Sequence, residues 1–194
     1  MRSFAAALTA LLTAISTPAL AQSNSGPYLG VGATHDNISS SGDLKGLGIN
    51  GLGATVFAGY KIPYAENTFV SVEANFDLAS AKAEDAGDSV KADYVYGGSV
   101  LLGANLNANT SFYGRVGYQR GRETTVVNSV RDSQSRNGVR FGAGLEAAVS
   151  KKFAVRLEYN RTHYYLNDLD KAAIAPLKGG LNNDQAVLAL VSTF

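Results

Sequence analysis

The sequence predicts an all-β protein, an eight-stranded antiparallel up-and-down transmembrane β-barrel. Three observations predict this fold. Apolar and polar residues alternate with a period of two through most of the chain, and the connections between the alternating segments are long and short in turn. The alternating segments are about 10–13 residues long, close to the roughly 9–11 residues that a tilted strand needs to cross a bilayer.

The composition limits the possible functions. The 194 residues include 21 Gly but no Cys and no Trp, charged residues make up 17%, and the formal net charge is +1. This length suits one domain with a core. The absence of Cys excludes a disulfide scaffold, a thiolate metal site and a Cys nucleophile. The near-neutral charge gives no support for nucleic-acid binding, and the 45% hydrophobic content argues against disorder.

Residues 1–21 have the pattern of an export signal. Arg2 supplies a positive start, residues 4–15 are apolar apart from two threonines, and the segment ends in the small-residue triplet Ala19-Leu20-Ala21. This order is typical of a cleaved signal peptide. We therefore expect cleavage after Ala21, with residues 22–194 forming the barrel, and export to a bacterial envelope.

The first half of the remaining chain contains four candidate strands, at 27–35, 50–61, 69–78 and 93–106. In the second, one face carries Leu52, Ala54, Val56, Ala58 and Tyr60, and the other Gly53, Thr55, Phe57, Gly59 and Lys61. In the third, one face carries Val70, Val72, Ala74, Phe76 and Leu78, and the other Phe69, Ser71, Glu73, Asn75 and Asp77. Alternate side chains share one face of a strand, so one face is apolar and the other is largely polar.

The second half contains four more candidate strands, at 112–122, 138–149, 153–164 and 185–194. In the sixth, one face carries Val139, Phe141, Ala143, Leu145, Ala147 and Val149, and the other Arg140, Gly142, Gly144, Glu146 and Ala148. In the seventh, Phe153, Val155, Leu157 and Tyr159 alternate with Ala154, Arg156, Glu158 and Asn160. A helix would scatter these charges around its circumference.

The polar faces decide between a soluble sandwich, which turns its apolar face inwards, and a membrane barrel, which turns it outwards. Glycine is frequent beside the large ions on these faces. Small residues leave room inside a narrow barrel for a few long charged side chains, whereas a soluble sheet would place those charges in water. We therefore expect the apolar faces to contact lipid.

The connections support the same arrangement. Four are long and rich in Ser, Asn, Asp and Gly, at 36–49, 79–92, 123–137 and 165–184, and three are short, at 62–68, 107–111 and 150–152. Long loops on one side and tight turns on the other are typical of bacterial outer-membrane barrels. Closure into a barrel also leaves no unpaired edge within lipid.

Aromatic residues fall near the ends of the candidate strands, where an interfacial girdle is expected. These residues are Tyr60, Tyr94, Tyr96, Phe112, Tyr118 and Tyr159. The chain closes on QAVLALVSTF. The terminal aromatic residue, Phe194, resembles the C-terminal signature that the outer-membrane assembly machinery reads.

Four segments resemble strands of the OmpA transmembrane domain and related opacity-type small barrels. LGATVFAGYKIPY (52–64) resembles the second strand and its turn, FYGRVGYQRG (112–121) the fifth, FGAGLEAAVS (141–150) the sixth and VRLEYNRT (155–162) the seventh. The resemblance implies a bacterial outer-membrane location. Larger OmpA proteins carry a peptidoglycan-binding domain after the barrel, and because this sequence ends with its eighth strand we do not expect that activity.

Six charged side chains are expected to point into the lumen: Glu73, Arg115, Arg140, Glu146, Arg156 and Glu158. An unpaired ion is costly in so narrow a space, so hydrogen-bonded ion pairs are expected.

The resemblance implies that Glu73 and Arg156 correspond to members of an interior ionic gate, with Glu146 and Glu158 as the matching carboxylates. Leu101 stands where the gate has its lysine. The charges therefore form either a static plug, which we favour, or a narrow, ion-gated pore.

The sequence gives little support for catalysis or for a cofactor. The only histidines, His35 and His163, fall near the outer strand ends but lack an evident Ser nucleophile, and two scattered histidines form no metal site. Residues 46–51 match G-x-G-x-x-G without the strand, helix and distal acid of a dinucleotide site. We expect a protein that is not an enzyme and that has neither cofactor nor metal.

The expected partners follow from the fold. The first are outer-membrane lipids and lipopolysaccharide, whose phosphates could contact Arg120, Arg122, Arg131, Arg136 and Arg161. The second is the outer-membrane assembly machinery. The third are possible host or surface ligands, which would bind at loops 36–49, 79–92, 123–137 and 165–184. The function expected is structural and surface-exposed. The alternatives are a barrel enzyme modifying lipid A or phospholipid, a loop-mediated adhesin or surface antigen, and a soluble lipocalin-like binder.

Overall fold

The computed structural model describes residues 25–42, 48–79, 82–85, 88–127, 130–165 and 179–194. Within them the chain forms nine strand segments: β1 (Gly26–Gly42), β2 (Gly48–Ala65), β3 (Thr68–Ala79), β4 (Lys82–Asp85), β5 (Asp88–Asn105), β6 (Thr110–Val127), β7 (Val130–Ala148), β8 (Phe153–Tyr164) and β9 (Gly179–Thr193). No helix among these residues is long and apolar enough to cross a bilayer. The expected signal segment, residues 1–21, lies outside the described residues.

The strands form one closed antiparallel sheet. Its order is β3-β2-β1-β9-β8-β7-β6-β5, and pairing between β3 and β5 completes the circle. β4 pairs with β5 beyond the end of β3, so that β3 and β4 together occupy one of the eight strand positions of the barrel. The first and last strands pair directly, with Tyr28 opposite Thr193. The expected fold, an eight-stranded up-and-down barrel, is confirmed.

Short turns lie at one end of the barrel, which we call the short-turn end; the other is the long-loop end. Turns at 66–67, 106–109 and 149–152 join β2 to β3, β5 to β6 and β7 to β8. Both ends of the described chain lie there too, where the Phe194 backbone N–H donates to the Pro27 carbonyl oxygen at 3.1 Å.

The strands extend further towards the long-loop end than expected. β6 continues to Val127 and β7 begins at Val130, so most of the expected loop 123–137 is a paired ladder. Much of loops 36–49 and 79–92 and the end of loop 165–184 are strand as well, whereas residues 43–47, 80–81, 86–87, 128–129 and 166–178 lie outside the described residues. The loop assignments were wrong here because Ser, Asn, Asp and Gly suggest loops, yet antiparallel backbone pairing persists when both faces of a strand are polar.

The two faces of the sheet have opposite polarity to those of a soluble protein. The outer face exposes large apolar side chains, among them Leu29, Val31, Val56, Val72, Val100, Leu102, Val116, Leu145, Leu188 and Leu190. The inner face buries polar and charged side chains, including Arg115, Arg140, Glu146, Arg156 and Glu158. An apolar outer face and a polar lumen satisfy a bilayer environment.

Exposed aromatic residues form two bands around the outer face. Tyr60, Tyr64, Phe112, Phe153 and Phe194 lie towards the short-turn end, and Phe76, Tyr96, Tyr118, Phe141 and Tyr159 towards the long-loop end. Tyr94, which is half-buried, stacks on Phe76 with ring centroids 5.7 Å apart. The band positions match the aromatic girdles of membrane barrels.

Inward-facing glycines stand directly across from inward-facing rings. Gly30 pairs with Phe57, and Gly59 with Tyr28. Gly103 lies between Phe69 and Tyr113, and Tyr113 also faces Gly144. A Cβ added at Gly30 would lie 2.1 Å from the Phe57 ring, so the absence of a side chain makes space for the ring. The glycines thus accommodate aromatic rings as well as ions.

Candidate functional site

Arg156 on β8 is the centre of a buried ionic network in the lumen. Its Nη1 donates to Glu73 Oε2 at 2.6 Å, and its Nε and Nη2 donate to Glu146 Oε2 at 3.1 and 2.9 Å. The side chain is 2% exposed. One guanidinium therefore joins carboxylates from β3 and β7, using the several donors that make Arg suited to buried ion pairs.

Arg115 on β6 extends the network in a second direction. Its Nη1 donates to Glu158 Oε1 at 2.5 Å, and its Nη2 donates to Glu73 Oε1 at 3.0 Å and to Ser99 Oγ at 2.9 Å. Glu158 also accepts hydrogen bonds from the Tyr113 hydroxyl and the Asn160 amide. Glu73 is thus shared between two arginines, one on each carboxylate oxygen.

Lys61 on β2 ends the network on the other side. Its Nζ donates to Glu146 Oε1 at 2.9 Å and lies 4.6 Å from the centroid of the Phe69 ring. We call the resulting set the six-residue network: Lys61, Glu146, Arg156, Glu73, Arg115 and Glu158, in order of contact. It contains three cations and three anions, so its formal charge is zero.

Aromatic rings surround the centre of the network. The guanidinium carbon of Arg156 lies 4.4 Å from the centroid of Phe57, 5.4 Å from that of Tyr28 and 5.2 Å from that of Tyr113. Tyr28 also donates its hydroxyl to Glu73 Oε2 at 2.9 Å. The rings offer cation–π attraction and leave little room for water beside the charges.

A second ion pair lies nearer the long-loop end. Arg140 Nη1 and Nη2 both donate to Asp77 Oδ2 at 3.0 Å, and Arg140 Nε donates to Thr162 Oγ1 at 3.0 Å. Asp77 Oδ1 accepts from Thr55 at 2.7 Å and from Asn75 at 3.2 Å. Apart from each other, the partners of Arg140 and Asp77 are neutral groups, and no hydrogen bond or ion pair in the described part of the chain joins this pair to the six-residue network.

Very little space remains among these side chains. The cavity between the two ion clusters, lined by residues such as Glu73, Asp77, Arg115 and Arg140, has a volume of about 10 Å³. Roughly 10–15 Å³ on this measure holds one water molecule. The lumen is therefore filled by side chains at this level.

The structure brings five of the six residues predicted for the lumen into one network: Glu73, Arg115, Glu146, Arg156 and Glu158. The sixth, Arg140, belongs to the separate pair with Asp77. Lys61 and Asp77 were not among the residues predicted for the lumen network, although the alternation places both on polar strand faces. Leu101, at the position of the gate lysine, is 1% exposed and packs with Phe69 and Tyr113.

The histidines face outwards and lie apart from the lumen. His35 and His163 are both exposed, and His163 Nδ1 lies 2.7 Å from Asn182 Oδ1. Within the described residues, neither histidine forms a hydrogen bond with a hydroxyl group that could serve as a nucleophile. Among the described residues, no three His, Cys, Asp or Glu side chains are grouped as a metal site.

Two of the arginines expected at the outer rim are exposed on the outer face close to the aromatic band. Arg120 follows Tyr118 on the same face of β6, and Arg161 follows Tyr159 on β8. Arg161 Nε lies 3.7 Å from Asp184 Oδ1, an open ion pair. Of the other three arginines, Arg122 has its Nη1 3.5 Å from the Tyr94 hydroxyl oxygen, and Arg136 is half-buried. The side chain of Arg131 is not among those that the structure describes.

Comparison with known families identifies the protein's class. The family model for the outer membrane protein beta-barrel domain matches residues 7–194 of the sequence. The chain belongs to this family. Its closed barrel, its apolar outer face and its membership together make it an outer-membrane β-barrel protein, as the sequence predicted.

Relatives agree with this assignment. The chain is 29% identical over 146 residues to a 22 kDa outer membrane protein of Rhizobium leguminosarum bv. viciae, a match that spans 75% of this chain and 66% of that protein, just under two thirds of its length. Among solved structures, it resembles Ail, the attachment invasion locus protein of Yersinia pestis, solved with the heparin analogue sucrose octasulfate (TM-score 0.60, 15% identity, covering 88% of this chain and 99% of Ail). It also resembles Neisserial surface protein A (TM-score 0.61, 14% identity, covering 87% and 97%). At these identities the likeness concerns the fold alone.

Proposed function

We propose that this protein is a closed, non-enzymatic outer-membrane barrel that contributes to the envelope as a structural and surface-exposed element. The observation that carries the proposal is the six-residue network, in which each charged group is bonded to an opposite charge and beside which almost no space remains. Of the two sequence interpretations, this arrangement favours the static plug over the ion-gated pore.

Conduction would require the network to open. An ion passing the level of Arg156 must displace guanidinium–carboxylate contacts of 2.6–3.1 Å and the rings packed around them. Breaking a buried pair leaves an uncompensated charge, which typically costs about 3–5 kcal/mol. Because Glu73 and Glu146 each have two cationic partners, loss of one contact does not free either carboxylate.

Planar-bilayer recording tests this proposal. Purified, refolded wild-type protein is expected to give no resolved conductance steps, because its lumen is filled. Arg156→Ala is recorded in parallel, with the outward-facing Arg161→Ala as control. We expect Arg156→Ala to lower the melting temperature in detergent clearly, while the single-channel current rises only slightly. Resolved steps in the wild type, or a large current through Arg156→Ala with an unchanged melting temperature, would contradict a plug.

The outer rim is proposed to contact the lipid headgroups of the outer leaflet. Arg120 and Arg161 point outwards beside aromatic residues that mark the interface, and guanidinium groups bind phosphate well. Lipopolysaccharide is the phosphate-bearing lipid expected there. We further infer that Phe194 serves recognition by the assembly machinery and that residues 1–21 are removed as a signal peptide, which mass determination of the mature N-terminus checks.

A second candidate function is ligand binding at the cell surface, as an adhesin or antigen. It is favoured by the β6–β7 ladder, which continues from Tyr118 beyond the aromatic band to Val127 and Val130. A rigid paired extension can present side chains to a partner. The enzymatic alternative has no comparable support, and a lipid A mass spectrum from cells with and without the protein would reveal a modification if one occurs.

A further inference from the structure

Four strands continue outwards from the aromatic band at the long-loop end as a paired extension on one side of the barrel. We call this extension the outer ladder; it consists of residues 82–85 of β4, 88–92 of β5, 120–127 of β6 and 130–137 of β7. Because these strands are paired residue by residue, the backbone register fixes the face of the sheet on which each position lies.

The outer face of the ladder continues the lipid-facing side of the barrel. Tyr118, Arg120 and Arg122 are exposed at alternate positions of β6. Alternate residues of a strand share one face, and directly paired residues of neighbouring strands share it too. The pairing of β6 with β7 reaches the turn without a register shift, so the even positions of β6 and the odd positions of β7 stay on the outer face.

The same face can be followed onto β5 and β4. A bulge between Ala92 and Tyr94 moves the outer face of β5 from the even to the odd positions, since Lys91 pairs with Thr124. Lys82 pairs in turn with Lys91, so the even positions of β4 lie on the outer face as well. All four strands of the ladder can therefore be divided into an outer and an inner face.

The register sorts the charged residues of the outer ladder by sign. The outer-face positions hold five cations and one anion: Lys82, Lys91, Arg120, Arg122, Arg131 and Glu84. The inner-face positions hold four anions and one cation: Asp85, Asp88, Glu123, Asp132 and Arg136. The formal charge is thus +4 on the outer face and −3 on the inner face. Asp93, at the bulge, belongs to neither set, and counting it with the outer face still leaves +3.

The cationic face begins at the membrane interface and extends away from it. Arg120 pairs with Tyr96, which belongs to the aromatic band. From Arg120 to Val126, which pairs with Arg131, β6 rises about 20 Å along its axis. The outer face is therefore a cationic strip that starts at the level of the lipid headgroups and is continuous with the lipid-facing surface below it.

We propose that the outer face of this ladder binds the anionic saccharide core of lipopolysaccharide, through the phosphate and carboxylate groups of the core. The inference rests on the proposed contact between the outer rim and lipopolysaccharide, and it extends that contact from the headgroups to the saccharide. Guanidinium groups bind phosphate and carboxylate well, and a surface of one sign attracts a polyanion of the other. The acidic inner face repels the same groups, so the charge pattern selects the outer side.

Continuity of the strip with the lipid-facing surface selects this partner. The core of lipopolysaccharide is anchored in the bilayer beside the barrel, begins at the level of Arg120 and rises outwards along the barrel wall. A polyanion that arrives from the medium meets the far end of the ladder first, near Arg131, and has no need of a cationic surface that continues down to the aromatic band.

Titration of the refolded full chain in phosphatidylcholine bicelles tests the proposal. The probes are lipopolysaccharide with a complete core but no O-antigen, lipid A alone, and a soluble sulfated oligosaccharide. Backbone amide NMR shifts of Val90, Val126 and Val130 report on the outer ladder, and those of Tyr118 and Val139 report on the rim. We expect lipopolysaccharide to shift both sets saturably and lipid A to shift the rim alone. The soluble oligosaccharide is expected to bind the ladder more weakly, because it is not anchored beside it.

A double variant with a matched control locates the binding. Lys91→Gln/Arg131→Gln removes two cations of the outer face, and we expect it to weaken the response of the ladder to lipopolysaccharide by about fivefold or more. The response of the rim to lipid A should not change. Lys151→Gln/Lys152→Gln removes the same charge from two exposed positions at the short-turn end, and is expected to leave both responses unaltered.

Several results would overturn the proposal. They are ladder shifts as large with lipid A as with the complete core, an equal loss of affinity in the two double variants, and tighter binding of the soluble oligosaccharide than of lipopolysaccharide. If Lys91→Gln/Arg131→Gln does not fold, the comparison of lipopolysaccharide with lipid A on the wild type decides. Rim shifts with lipid A but no core-dependent shifts would refute the ladder site alone, whereas the absence of shifts at both places would also refute the proposed rim contact.

Discussion

Two layers of the same lumen neutralise their charges in different ways. In the six-residue network, Glu73, Glu146 and Arg156 each bond to two or more opposite charges, and aromatic rings pack around them. In the layer nearer the long-loop end, Arg140 and Asp77 have only each other as ionic partners, and Asp36 has none among the described residues. The comparison indicates that Arg156 carries more ionic contacts than Arg140, whose layer is supported mainly by amides and hydroxyls.

The largest loss of stability is expected for Arg156→Ala. The substitution removes the shared donor of Glu73 and Glu146 and opens a cavity inside the collar of Phe57, Tyr28 and Tyr113. We expect the free energy of unfolding to fall by about 3–5 kcal/mol, as when a buried pair is broken. Urea unfolding in micelles, followed by the mobility of unboiled protein on gels, measures it. If Arg156→Ala lost no more stability than the exposed Arg161→Ala variant, the network would not be a major contributor to the stability of the barrel.

Arg140→Ala is expected to cost less and so to separate the two layers. It leaves one carboxylate, Asp77, which keeps hydrogen bonds from Thr55 and Asn75. We expect a loss of about 2–3 kcal/mol, because one charge with neutral donors remains. The same urea titration provides the measurement. A loss equal to or greater than that of Arg156→Ala would show that the number of ionic contacts removed does not decide the loss of stability.

Gly30→Ala tests the packing of the collar rather than its charges. The new Cβ would lie 2.1 Å from the Phe57 ring, which must then shift against Arg156. We expect destabilisation of about 1–2 kcal/mol, as for overpacking of a core. Gly114→Ala is the matched control, since its Cβ would point outwards and would lie 3.9 Å from the Gly142 carbonyl oxygen. Similar effects of both variants would argue that strand propensity, and not the ring, sets the requirement at Gly30.

Much of the fold follows from the sequence because alternation is a local property. The apolar and polar faces of β2, β3, β7 and β8 are readable from single residues, and β8 spans residues 153–164 as predicted. The ends of β6 and β7 cannot be read from the sequence in this way, because polar strands outside a bilayer lack an apolar face that would identify them. Their pairing depends on the neighbouring strand, which a local pattern does not contain.

The sequence predicted which charged residues face the lumen but not how they pair. Alternation indicates that Glu73, Arg115 and Arg156 face the lumen, but it does not indicate which ions meet. Lys61 stands at the end of a predicted strand, yet the register brings its Nζ to Glu146, 85 residues away in sequence. Asp36 was assigned to a loop, so its position opposite Gln185 on β9 could not be anticipated.

The pairing of inward rings with glycines has a consequence for assembly. In the native alignment Tyr28 lies opposite Gly59, and Gly30 opposite Phe57. A slip of two residues between β1 and β2 would keep every side chain on its own face, so polarity alone would not penalise it. One direction of slip would bring Tyr28 against Phe57, and the other would set Gly30 against Gly59 and leave a gap. The complementary ring and glycine therefore disfavour a two-residue slip between β1 and β2 that the polarity of the strand faces alone would allow.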